Sequence, residues 1–221
     1  RLKENLLIQD ISIRALAHLA EIRDPETGNH LRRTQGYMQA LATQLREYPR
    51  FADFLTAKNI QTLVKSAPLH DIGKVGIPDH ILLKPGKLTP EEWEIMRTHS
   101  RLGRDAIEQA ERDTDQPVEF LRVAKDIAHY HHEKWDGSGY PDGLIGDAIP
   151  IPARLMALAD VFDALIARRA YKVPMPFEQA VAIIRDGRGT HFDPAIADAF
   201  LARLDEFQTL AEIHADSEAE R

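Results

Sequence analysis

From Leu31 onward the apolar positions Leu31, Met38, Leu41 and Leu45 fall 7, 3 and 4 residues apart, the spacing of one buried face of an amphipathic helix. That period recurs along the chain, whereas two-residue alternation is short and rare, so the expected fold is all-α. Helix punctuation agrees. Tyr48-Pro49 closes the first of these segments. Thr89-Pro90-Glu91-Glu92 then supplies an N-cap, a proline at the first helical position and acids in the first turn of a helix running through Trp93, Met96 and His99. Residues 59–71 read as a helix that runs into His70-Asp71, and further helices are expected over 117–133, 152–169, 176–187 and 194–207. Two segments break the pattern. Residues 73–88, with Gly76, Pro78, Pro85 and Gly86, read as a loop. Residues 135–152, rich in glycine and proline around Trp135 and Tyr140, read as a long structured loop.

With 221 residues the chain can build one well-cored domain. The expected organisation is an amphipathic lead-in helix over 1–20, a helical domain over 21–210 and a polar tail over 211–221. A formal net charge of −7 argues against binding a DNA or RNA backbone over a broad surface, though not against gripping one small anion. The most apolar stretch, Ile149 to Ala167, contains Arg154, Asp160 and Asp163 and does not read as a membrane span. No targeting segment is visible, so a cytoplasmic protein with no membrane partner is expected. Arg1 in place of an initiator Met fits a removed upstream segment, and fits N-terminal processing equally well.

The absence of Cys excludes disulfides, thiolate metal sites and cysteine nucleophiles, leaving the imidazoles of 10 His and the carboxylates as strong metal ligands. These residues are placed suggestively. His70 and Asp71 are adjacent and precede Ile72-Gly73-Lys74. His99 lies in the next helix, and His131 and His132 are adjacent near the end of another. Asp160 sits within the apolar run Leu155 to Leu165, where a lone carboxylate is costly to bury. Each has a plain reading, a hydrogen-bonded core histidine or an Asp160 paired with Arg154. Four separate helices would then each need their own reason, which favours one shared centre. Imidazoles with one or two carboxylates suit Mn, Fe, Ni or Zn, with Asp71 placed to bridge two ions. Two ions roughly 3.5–4 Å apart can hold a hydroxide and the oxygens of a phosphodiester, which points to metal-assisted phosphoryl hydrolysis.

His70-Asp71-Ile72-Gly73-Lys74 resembles the HD motif of the HD phosphohydrolase superfamily. The run His131-His132-Glu133-Lys134-Trp135-Asp136-Gly137-Ser138-Gly139-Tyr140-Pro141-Asp142-Gly143 resembles the signature of its HD-GYP branch. Ile77-Pro78-Asp79, Lys84 to Thr89, Ala159 to Leu165 and Arg169-Ala170-Tyr171-Lys172 match in collinear order. The resemblance implies a single HD-type helical domain of a bacterial cyclic-di-GMP phosphodiesterase, often joined to a receiver or other sensory domain. It implies metal ligands at His30, His70, Asp71, His99, His131, His132 and Asp160. Glu26 resembles a carboxylate that supports a third ion in some members, and reads equally as an exposed turn residue after Pro25. The cofactor implied is two divalent ions, or three where Glu26 takes part, with Fe, Mn or Ni preferred over Zn.

Lys74, one turn beyond His70 if the helix continues, resembles a phosphate contact that neutralises charge in the transition state. Arg169 and Lys172 resemble the family's substrate-binding pair for phosphate or guanine, whereas Arg168 reads as a favourable charge at a helix C-terminus. Asp163 reads as support for the centre or as a ligand to an extra ion. His129 and His191 read as structural, and His18, His80 and His214 as exposed. The implied reaction is hydrolysis of cyclic di-GMP to pGpG, then to GMP after a second cut, by a hydroxide held between the metals. The rivals are the same machinery acting mainly on pGpG or another cyclic dinucleotide, and a weakly active nucleotide-binding receptor. The intact ligand set argues against the receptor. Gly139-Tyr140-Pro141 either shapes the pocket mouth or contacts a diguanylate cyclase, and the lead-in helix is the expected contact of a homodimer.

Overall fold

The structure, a computed structural model, describes residues 2–21, 29–113, 118–167 and 174–215. Among these residues the only extended structure is two isolated bridges, and the rest of the regular structure is three short 3₁₀ segments and eleven α-helices. In chain order they are α1 (Leu2–Glu21), α2 (Asn29–Leu45), α3 (Pro49–Ala52), α4 (Ala57–Ser66), α5 (Asp79–Leu82) and α6 (Pro90–Arg112). There follow α7 (Glu119–Tyr130), α8 (Ile151–Ile166), α9 (Phe177–Asp186), α10 (Pro194–Leu201) and α11 (Leu204–Ile213). No helix of the described residues is long and apolar enough to cross a membrane.

The core forms where α2, α8, α10 and α11 meet. Tyr37 and Phe207 stack with centroids 4.7 Å apart, and Phe162 stands edge-on to Tyr37, Phe200 and Phe207 at 5.2, 5.0 and 5.4 Å. Residues Pro152 to Ala159 of α8 are buried without a break, as an apolar run around every face of a helix demands. Arg154 is buried with its guanidinium between Asp147 and Asp193, 3.0 Å from each, so it does not pair with Asp160. Arg50 joins the same carboxylates, and both guanidiniums lie over the ring of Trp135.

The N-cap expected at Thr89 forms, and it is a full capping box: Thr89 accepts from Glu92 N, and Glu92 accepts from Thr89 N. Several boundaries differ from expectation. The helix expected over 59–71 stops at Ser66, because Pro68 has no N–H to continue the ladder. The freed carbonyl of Val64 accepts instead from Gln35 Nε2 at 2.8 Å. His70 and Asp71 therefore lie on a turn between two 3₁₀ segments, Ala67–Leu69 and Ile72–Gly76, and α1 packs against both. Residues 73–88 are not wholly loop, since they include the end of that second segment and α5. The helix expected over 194–207 is two, α10 and α11, and α11 continues to Ile213 into the expected tail. On α1, Ala17 and Ala20 are buried while Leu7, Ile8, Ile11, Leu16 and Leu19 are exposed.

The long segment after α7 is ordered, as expected. Trp135 N donates to His191 O at 3.0 Å and Asp136 N to Thr190 O at 2.9 Å, zipping the segment to the turn before α10. His191 stacks on Phe192 and is partly buried, and burial pushes its imidazole down to about 4. The unfolded chain therefore takes up this proton near pH 6.5, before the folded one does. His191 contributes no penalty above that value and an increasing one as the pH falls towards 4. Urea unfolding of the metal-free protein at pH 7.5 and 5.0 should show a loss of stability on acidification that His191→Gln reduces by about 1–2 kcal/mol.

Candidate metal centre

Five pieces of the fold bring His and Asp together. The start of α2 supplies His30, the turn after α4 supplies His70 and Asp71, and α6 supplies His99. His131 caps the C-terminus of α7 with His132 beside it, and α8 supplies Asp160. They form two groups whose ligand atoms lie within 4.8 Å of one another: Asp71, His99, His131 and His132, and His30, His70 and Asp160. Every histidine and aspartate expected at the centre from 30 to 160 is thus brought together.

The orientation of the imidazoles is set by their outer nitrogens. His70 Nδ1 donates to Ala67 O at 3.0 Å, His99 Nδ1 to Met96 O at 2.8 Å and His131 Nδ1 to Ile127 O at 2.9 Å. His30 Nδ1 donates to Asp163 Oδ2 at 2.8 Å. Carbonyl and carboxylate oxygens only accept, so each ring keeps its proton on Nδ1 and turns a bare Nε2 lone pair inward. His30 Nε2 then faces His70 Nε2 at 3.3 Å, and His132 Nε2 faces His99 Nε2 at 3.1 Å. Burial lowers the proton affinity of both His70 and His132, which favours the neutral form of each ring. Asp71 Oδ1 and His131 Nε2, 3.5 Å apart, are buried and make no hydrogen bond to the described residues. Converging lone pairs and an unpaired carboxylate oxygen are the donor set of a divalent cation, so these residues fit a divalent metal centre.

Asp71 lies between the two groups. Its Oδ1 is 3.3 Å from His99 Nε2, while its Oδ2 is 3.4 Å from His70 Nε2 and 2.6 Å from Lys74 Nζ. Burial opposes the charge of Asp71, but Lys74 and the surrounding imidazoles hold its carboxyl well below the usual range. Lys74 reaches it through the 3₁₀ turn, three residues on, and not through an α-turn from His70. That turn sits directly on α6: a Cβ on Gly73 would stand 1.9 Å from His99 O, so only glycine lets the two backbones meet. Asp160 Oδ1 is 3.9 Å from both His30 and His70 Nε2.

Three supporting side chains have roles the sequence barely signals. Asp163 is buried, accepts from His30, and also takes Arg33 Nε at 2.6 Å and Nη2 at 3.0 Å. It is bound to the back of His30, so its place is support. Burial opposes its charge, yet His30 and Arg33 hold its carboxyl low. Arg33 was not singled out, although it lies three residues after His30 as Asp163 does after Asp160. Glu133, also missed, is buried and accepts from the backbone N–H groups of Asp142, Gly143 and Leu144 at 2.7, 3.0 and 3.1 Å. Its place directly after His131-His132 was the available signal. His129 is buried against Asp142 and Arg104, a structural position. His18 and His80 are exposed and His214 is partly buried. Glu26, Arg168, Arg169 and Lys172 lie outside the described residues.

An all-helical shell around paired His/Asp clusters defines the HD class, and a family model described as an HD domain matches residues 14–196. The chain belongs to the HD domain family. The segment from His131 to Pro141 assigns it to the HD-GYP branch. A Vibrio cholerae protein named probable cyclic di-GMP phosphodiesterase is 58% identical over 212 residues, covering 96% of this chain and 48% of that protein. A Vibrio cholerae 3'3'-cGAMP-specific phosphodiesterase 2 is 44% identical over 193 residues, covering 87% of this chain and 34% of the relative. The chain thus spans less than half the length of either. A crystal structure of a cyclic GMP-AMP specific phosphodiesterase from V. cholerae shares the fold, with a TM-score of 0.57 at 20% identity over 96% of this chain and 56% of that one.

Asp163→Asn removes the charge that holds both His30 and the buried Arg33. It should cost about 3–5 kcal/mol of stability and weaken metal binding ~10–100-fold. Urea unfolding and metal content after equilibrium dialysis check this; wild-type values in both would show that Asp163 does not orient His30.

Proposed function

We propose that this chain is a metal-dependent phosphodiesterase that hydrolyses cyclic di-GMP to pGpG, and to GMP after a second cut. The observation that carries the reading is the pair of inward-facing His/Asp groups joined by Asp71, with the Lys74 ammonium on its outer oxygen. In this reading Asp71, His99, His131 and His132 would hold one ion, and His30, His70 and Asp160 would hold the other. Divalent ions bound there would supply Lewis acidity, acidifying water and polarising a phosphoryl oxygen.

The chain's own groups do the rest. The Nδ1 anchors present four rings already oriented, so little reorganisation is left for the reaction. Lys74 carries a fixed positive charge to the edge of the centre, where it offsets charge developing on the phosphate. Arg169 and Lys172 are assigned to the guanine and phosphate groups. Glu26 is assigned to a third ion. Fe, Mn or Ni is the proposed metal, with Zn accepted by the same ligands. The names of the 58% and 44% identical relatives support a cyclic dinucleotide as substrate. The second of them makes 3'3'-cGAMP the specific alternative, ahead of pGpG. The proposal extends to a cytoplasmic setting, a receiver or sensory domain upstream, and a diguanylate cyclase contact through the 139–141 loop. It also assigns a homodimer contact to the exposed apolar side chains of α1.

Cyclic di-GMP incubated anaerobically with Mn- or Fe(II)-loaded protein should give accumulating pGpG or GMP by chromatography. His70→Ala/Asp71→Ala should give none, and Lys74→Met should lower kcat about 10²–10³-fold. Preferential cleavage of 3'3'-cGAMP in a parallel incubation would move the substrate assignment. Tight nucleotide binding without turnover under either metal would favour a receptor.

A further inference from the structure

Four of the five histidines at the centre are oriented by an acceptor on Nδ1, and His132 is the exception: none of the described residues accepts from its Nδ1. Its ring instead lies against Tyr140, with centroids 4.7 Å apart and planes inclined by 23°. The backbone is arranged to seat that ring. Tyr140 N donates to His132 O at 3.2 Å. A Cβ on Gly139 would stand 2.3 Å from Lys134 N and 2.6 Å from both Glu133 Cα and His132 O, so the loop reaches this turn only with glycine there. Glu133 fastens the far side of the loop through its three backbone N–H contacts. Arg97, two residues before His99 on α6, holds its guanidinium 5.0 Å from the Tyr140 ring centroid.

We infer that Tyr140 is the positioning residue of His132, its ring doing by stacking what backbone carbonyls do for His70, His99 and His131. The inference rests on the metal-centre reading proposed above. A stacked ring restricts rotation of the imidazole while leaving its Nε2 turned inward. Its electron-rich face also favours the positive polarisation that an imidazole acquires on binding a cation. The Tyr140 hydroxyl makes no hydrogen bond to the described residues, whereas the ring lies against His132. The ring and not the hydroxyl is therefore the working part. Tyr140 acts on the group containing His132 and leaves the His30, His70 and Asp160 group alone.

The test is a chelator-competed titration of metal-free protein with Mn(II) and with Co(II), reading ions bound per chain and Co(II) visible absorption. Tyr140→Phe should match the wild type. Tyr140→Leu should weaken one of two ions ~10–100-fold and change the Co(II) spectrum, with the other ion and the urea midpoint unchanged. In a His132→Ala background Tyr140→Leu should have no further effect on either ion, a coupling that a general loss of packing would not produce. Wild-type affinity in Tyr140→Leu, equal loss in Tyr140→Phe, or an undiminished effect in the His132→Ala background would each overturn the inference. Wild-type protein that takes up no ion would overturn the metal-centre reading instead.

Discussion

A neutral imidazole has one proton, and at this centre four of them are committed to oxygens on the outside. What each ring then offers its neighbours is a lone pair, and a cluster of lone pairs in a low-dielectric interior repels itself unless something positive stands among them. The rest of the structure follows from managing that repulsion. Carbonyls three or four residues back along the chain, Ala67, Met96 and Ile127, take the outward protons of His70, His99 and His131. Lys74 supplies a permanent cation beside Asp71. A bound divalent ion completes the neutralisation, so metal binding and folding stability are linked quantities in this chain.

The supporting shell has its own electrostatic logic. Arg33 and Asp163 are both buried, and each would be expensive alone; together they form a two-pronged pair whose carboxylate also holds His30. A buried pair recurs in Arg154 and Asp193, which Arg50 and the exposed Asp147 join from the surface to fix the segment after α7 through Trp135. Charge in the interior of this protein is arranged in groups that join elements distant in sequence, which apolar packing alone would leave free to slide.

What was legible in the sequence was whatever local chemistry decides. The N-cap at Thr89, the apolar run of α8 and the all-helical architecture all follow from spacing over a few residues. The His and Asp pattern was legible as a set because its members occur in unlike contexts yet share one chemistry, and the resemblance to the HD-GYP branch ordered them. The HD turn was not: Pro68 ends the α ladder, while the apolar period runs on past it, so the period suggested a helix that the backbone cannot make. Arg33 and Glu133 were missed for another reason. Their partners are set by tertiary approach, Arg33 to a carboxylate 130 residues away and Glu133 to three backbone groups on a loop, and neither leaves a periodic trace.

The residues of the centre are scattered from His30 on α2 to Asp160 on α8, and the carboxylate that orients His30 comes three positions later still. No contiguous piece of the chain holds more than a fraction of the set. During synthesis, an ion meeting the emerging polypeptide finds scattered imidazoles and the pairs His70-Asp71 and His131-His132, with His30 not yet aimed by Asp163. The early helices must wait for α8 before the two groups can face each other, a long-range closure that is slow relative to helix formation. Completion of the group of His30, His70 and Asp160 is accordingly a late event in the life of each molecule, and a chain truncated before α8 would be an incomplete trap for an ion there.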